Sequence, residues 1–227
     1  AALSLLEGSS EQLLESEIRS DVGVAQANAG SRRSELDDAR GQCEQALALA
    51  KRAGGAAETG KALDCRGEVA YFLQDYTRAL EFYRDAGTVF GTIGHDVGKA
   101  QSQLHQGHVY SDLGKFDEAG TCLDQAATLW ARVGNRRQEA IVRVAKARLE
   151  VRRGNYQKAL NQFQEALAAL EPMGDAVWVG SSLTGIAWVY EEMAETGPAL
   201  KHRERALTLF EAAGLKTGDV VLALDGK

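Results

Sequence analysis

His105, His108 and Asp112 stand at i, i+3 and i+7, so a helix carrying them presents all three on one face. Cys65 lies forty residues before His105, and imidazole and thiolate at such spacing could hold zinc. The pair of histidines lacks the i, i+4 spacing with an intervening Glu that metalloproteases use, which favours a polar wall over a metal site. No glycine-rich phosphate loop follows a strand, no nucleophile elbow is present, and no Ser or Cys has a His that would come to it. The expectation is a non-catalytic chain with no metal and no cofactor.

Charge is the second resource. Residues 132–158 carry nine Lys or Arg against Glu139 and Glu150, a local balance of +7 in a chain whose net charge is −6. A basic stretch in an acidic chain attracts an acidic peptide or an acidic partner. An isoelectric point near 5.3 and the lack of interleaved aromatics argue against nucleic acid. No apolar run is long enough to span a membrane.

The elements that must position these groups are set by a fixed period. Gly54, Gly94, Gly134, Gly174 and Gly214 stand forty residues apart. So do Ala39, Ala79, Ala119, Ala159 and Ala199; Ala46, Ala86, Ala126, Ala166 and Ala206; and the small residues Ala27, Gly67, Gly107, Ala147 and Ala187. A bulky column runs Leu36, Tyr76, Phe116 and Tyr156 and fails at Thr196. Small residues at constant spacing mark places where helices approach closely, and a period of this length marks a stack of supersecondary units. Within one unit, Leu104, Gly107, Tyr110 and Leu113 form a first helical face. After a turn at Gly114-Lys115, Ala119, Leu123, Ala126, Leu129, Trp130 and Val133 form a second. Each unit is a helix pair, and a glycine ends each second helix, where a left-handed cap is wanted.

Over about Asp21 to Gly214 these columns resemble the tetratricopeptide repeat (TPR). Gly107, Tyr110, Gly114, Phe116, Ala119 and Ala126 fit its pattern in the third unit, and Ala187, Tyr190, Ala194, Thr196, Ala199 and Ala206 follow it less closely in the fifth. The forty-residue period exceeds the usual thirty-four and resembles the longer-helix subclass of spindle-orientation adaptors, kinesin light chains and bacterial signalling regulators. The resemblance implies an all-α fold, a right-handed superhelical solenoid of five antiparallel helix pairs. The implied role is a scaffold that binds a protein or peptide in its concave groove. A second reading is a regulatory or sensor module of a larger bacterial signalling protein that controls a fused effector domain.

In such arrays the first helix of each pair lines the groove. That face comprises Asn28 and Arg32; Asp64, Glu68, Tyr71 and Phe72; His105, His108 and Asp112; Arg148 and Arg152; and Trp188, Glu191 and Glu192. The family's Lys/Asn clamp for a terminal carboxylate is absent: its Asn position reads Asn28, Glu68, His108, Arg148 and Trp188, and its Lys position Val24, Asp64, Leu104, Val144 and Thr184. An acidic ligand beside Arg148 and Arg152 is the expectation.

Cys43, Cys65 and Cys122 are odd in number and unclustered, which reads as buried free thiols in a reducing, cytoplasmic setting. Residues 1–19 read as the end of an earlier helix, stopping at Gly8, followed by a long first helix capped by Ser10 and running to about Gly30. Residues 20–214 hold the five repeats. In residues 215–227 the period stops, and Val220 to Leu224 read as a strand that resembles the start of a bacterial PDZ domain or serves self-association. With no initiator Met and no signal segment, the chain reads as a piece of a longer protein.

Overall fold

The computed structural model describes residues 2–29 and 33–214, so Arg32 and the Val220 to Leu224 segment lie outside the described residues. Ten α-helices occupy the described residues, with no strand among them: α1 (Ala2–Ala29), α2 (Arg33–Ala53), α3 (Ala56–Phe72), α4 (Tyr76–Thr92), α5 (Asp96–Asp112), α6 (Phe116–Val133), α7 (Arg136–Arg152), α8 (Tyr156–Leu170), α9 (Ala176–Glu192) and α10 (Thr196–Ala212). A 3-10 turn, Glu171–Met173, carries Pro172 at the end of α8, and Pro198 lies in the first turn of α10. Both are places where a missing N–H costs little.

The chain reverses by one device. From residue 54 onward a left-handed residue recurs at every twentieth position: Gly54, Gln74, Gly94, Gly114, Gly134, Gly154, Gly174, Ala194 and Gly214, with φ between 60° and 79°. Its N–H and that of the next residue close back onto the ending helix, as in Gln74 N to Tyr71 O at 2.8 Å and Asp75 N to Ala70 O at 2.9 Å. The residue after it then opens the next helix. Asp75, His95, Asn135 and Asp175 each accept a hydrogen bond from the backbone N–H three residues on. Three residues thus end one helix and start another. The bulky column has a place in this device, since Tyr76, Phe116 and Tyr156 are the first residues of α4, α6 and α8.

Two expectations fail. α1 runs unbroken through Gly8 and Ser10, because the Leu, Glu, Ala and Gln around them are strong helix formers that outweigh the roughly 1 kcal/mol cost of one glycine. Cys43 and Cys65 are not free thiols. They form a disulfide between α2 and α3 with Cα atoms 5.6 Å apart, and Gly23 leaves the space for both sulfurs, since a Cβ there would come within 2.8 Å of each. Cys122 is free and buried as expected.

The chain divides into two compact units, Ala1–Leu129 and Trp130–Lys227. In the first, Ala39, Ala46, Ala79, Ala86, Ala119 and Ala126 are fully buried, and Leu36, Leu47, Leu63 and Phe90 fill the spaces beside them. In the second, one core joins Val144, Phe163, Leu170, Leu183, Ile186 and Phe210 around Ala159, Ala166 and Ala206. The alanine columns are helix crossings, as their spacing requires.

Candidate functional site

In the first unit α1, α3 and α5 pack side by side, so their outward faces form one surface. Most of the residues expected there meet. Asn28 Nδ2 donates to Glu68 Oε2 at 3.4 Å, and His105 Nε2 lies 3.5 Å from Glu68 Oε1. Tyr71 donates its hydroxyl to Asp112 at 2.6 Å, joining α3 to α5. His108 is half-buried nearby. Phe72 instead turns partly inward and packs on the Ala27, Cys65 and Val69 cluster.

Asp64, Glu68 and His105 are the deeply set polar groups of this surface, and their titration follows from that burial. Burial raises the Glu68 carboxyl to about 7, against a smaller opposing effect of the Asn28 hydrogen bond. Burial also lifts Asp64 well above the carboxylate range; the Ser102 hydroxyl, donating to it at 3.0 Å, opposes this and the Glu68 charge adds to it. Burial pushes His105 down to about 3, with His108 adding to the effect. Both ends of the His105 to Glu68 contact therefore favour their neutral forms, and it is a polar contact rather than an ion pair.

Tyr83 was outside the expected face, because it belongs to the second helix of its pair. It is 2% exposed, and its ring lies on Gly67, where a Cβ would come within 2.5 Å of it. That close approach lets the ring cross between helices to reach 4.8 Å from the His105 ring, beside Glu68 and Asp64. The signal was present in the sequence: the column reads Cys43, Tyr83, Leu123 and Phe163, and Tyr83 alone of these carries a hydroxyl. The zinc reading loses its thiolate to the disulfide, and no group of three metal-ligating side chains occurs among the described residues.

In the second unit Arg148 donates to Ser181 at 2.8 Å, joining α7 to α9, and Arg152 is half-buried one turn on. Trp188 packs on the core and donates its indole N–H to Glu192 at 3.0 Å, while Glu191 takes a two-pronged contact from Arg203 at 2.6 and 2.8 Å. Much of the basic run is neutralised locally: Arg137 pairs with Asp175, Arg143 with Glu165, and both Arg153 and Lys158 with Glu150. Glu150 is 4% exposed. Burial would raise its carboxyl, but hydrogen bonds from Asn155 and Lys158 and the charges of Lys158 and Arg153 hold it below its ordinary value. A cavity of about 460 Å³ between α9 and α10 is lined by Val179, Leu183, Leu209 and Ala212, with Glu171 and Arg205 at the polar part of its wall.

Comparison with known proteins agrees with this geometry. Residues 98–172 match the tetratricopeptide repeat family. The 43 kDa receptor-associated protein of the synapse of Tetronarce californica is 24% identical over 164 residues, 69% of this chain and 40% of that protein. The chain spans less than half the length of the curated relatives it matches. Among solved structures, a Rap protein complexed with competence and sporulation factor superposes with a TM-score of 0.76 at 14% identity, over 88% of this chain and 55% of that one. A putative kinesin light chain of Podosopora anserina with TPR-like repeats gives 0.65 at 13% identity, over 87% and 95%. No helix among the described residues is long and apolar enough to cross a membrane. All-α helix pairs reversing every twenty residues, with residues 98–172 matching the tetratricopeptide repeat family, place this chain in the all-α fold class of TPR-like helical solenoids.

Proposed function

We propose that this chain is a non-catalytic interaction scaffold whose partner, a protein or peptide, lies against the faces of the first helix in each pair. The observation that carries this is the surface built jointly by α1, α3 and α5, where Asn28, Glu68, Tyr71, His105, His108 and Asp112 stand half-buried or in contact across three successive repeats. Aromatic and polar groups on a rigid helical platform supply buried area and register together. The second reading is a regulatory or sensor module of a larger bacterial signalling protein that controls a fused effector domain; a fold similar to that of a Rap protein complexed with competence and sporulation factor supports it. On the second unit, the α7 face with Arg148 and Arg152 is the proposed place for an acidic stretch of partner. Self-association or a PDZ-like continuation from residues 215–227 belongs to the same proposal.

Photo-crosslinking tests it. A benzophenone side chain at position 108 or 152 is expected to capture the partner of the intact protein, and one at the exposed Glu81 of α4 is expected to capture none. Capture from position 81 alone overturns the assignment of the face. Binding through Arg148 and Arg152 should weaken with salt, and an Arg148→Ala/Arg152→Ala protein with unchanged affinity at low salt overturns that part.

A further inference from the structure

Asp64 and Glu68 stand one turn apart on α3, both largely buried where α3 meets its neighbours: Glu68 touches Asn28 of α1 and His105 of α5, and Asp64 touches Ser102 of α5. Among the described residues no Lys or Arg pairs with either: Glu68 meets Asn28 and His105, and Asp64 meets Ser102. Two buried carboxyls one turn apart resist becoming charged together unless a cation stands beside them. The chain pairs its other deeply set carboxylate thoroughly, giving Glu150 an asparagine, a lysine and an arginine. Two polar groups beside the acidic pair are also left open. Tyr83 is 98% buried, and its hydroxyl faces Glu68 and Asp64 without a hydrogen bond to any described residue. His105 Nδ1 is fully buried and has no partner. A ring nitrogen shut away from water without a partner is costly unless something else satisfies it, and the Tyr83 hydroxyl is left to bond whatever approaches the carboxyls.

We propose that Asp64, Glu68 and the Tyr83 hydroxyl form a subsite for a basic side chain, lysine or arginine, of the bound peptide. The cation supplies the missing counter-charge, and a guanidinium presents a planar fork of donors that carboxylates on adjacent turns can share. The Tyr71 ring, held by Asp112, stands beside the pair and adds an aromatic edge to the subsite. This subsite differs in sign from the Arg148 and Arg152 face of the second unit.

The inference rests on the reading of the helix face as a peptide surface, and its test is separable from that reading. The probe is N-acetyl-arginine methylamide, titrated into the 15N-labelled chain and followed by amide shifts, with the citrulline analogue as its uncharged isostere. The expected result is saturable shifts at residues 60–69 and 102–108 with the arginine compound and at least fivefold weaker binding of citrulline. Asp64→Asn/Glu68→Gln should abolish saturation, and Tyr83→Phe, which keeps the packing on Gly67, should weaken binding severalfold. Equal shifts with arginine and citrulline, or full binding in the double variant, overturn the subsite. Crosslinking from position 108 without arginine binding overturns this inference alone and leaves the helix face standing; arginine binding without crosslinking does the reverse.

Discussion

Gln74 and Gly114 stand forty residues apart at the same point of consecutive helix pairs, and both hold the left-handed backbone, at φ 60° and 71°. A glycine adopts this without penalty, whereas a Cβ makes it costly by about 1 kcal/mol. Ala194 repeats the anomaly at φ 60°. Gln74→Gly and Ala194→Gly should therefore each stabilise the chain by about 0.5–1 kcal/mol, and Gly114→Gln should destabilise it by a similar amount. Denaturant midpoints check the signs, and a Gln74→Gly protein less stable than its parent would contradict the cause given.

Ala119 is fully buried at a helix crossing, and Gly107 faces its carbonyl. Ala119→Leu inserts three carbons where no space exists, and the expected loss is about 1–3 kcal/mol. An unchanged melting temperature would mean that the alanine column is not a packing constraint.

The Cys43–Cys65 bridge closes a segment of 22 residues between consecutive repeats. Its reduction should cost about 2–4 kcal/mol by freeing the unfolded chain. Alkylation of the unreduced, unfolded protein followed by mass measurement should label Cys122 alone; three labels would show the thiols free. The bridge removes the sequence argument for a reducing compartment.

Glu68 gives a pH signature. Its folded pKa, about 7, lies above the ordinary 4.5, so between those values the folded state binds more protons than the unfolded one and stability falls as pH rises. His105 acts in the opposite sense, its fall to about 3 making stability rise between pH 3 and 6.5. Glu68→Gln removes the first effect, and the variant should gain more over its parent at pH 8 than at pH 4.5. An equal gain at both would show that Glu68 is not desolvated in the folded chain.

The forty-residue columns determined the helix pairs and the buried alanines, because small residues at crossings are a packing requirement that any one chain must write into its sequence. The twenty-residue reversal was half visible: Gln74 and Ala194 hide two of its positions, since tertiary packing imposes a left-handed backbone that their types do not announce. Residues on the first helices, Asn28, Glu68, Tyr71, His105 and Asp112, were legible from helical spacing because contacts between parallel faces repeat with the period. Tyr83, the Cys43–Cys65 bridge and the desolvation of Asp64 and Glu68 were not. Each depends on how closely two helices approach at a glycine, Gly67 or Gly23, and on what that approach shuts away from water, which only the packed structure decides.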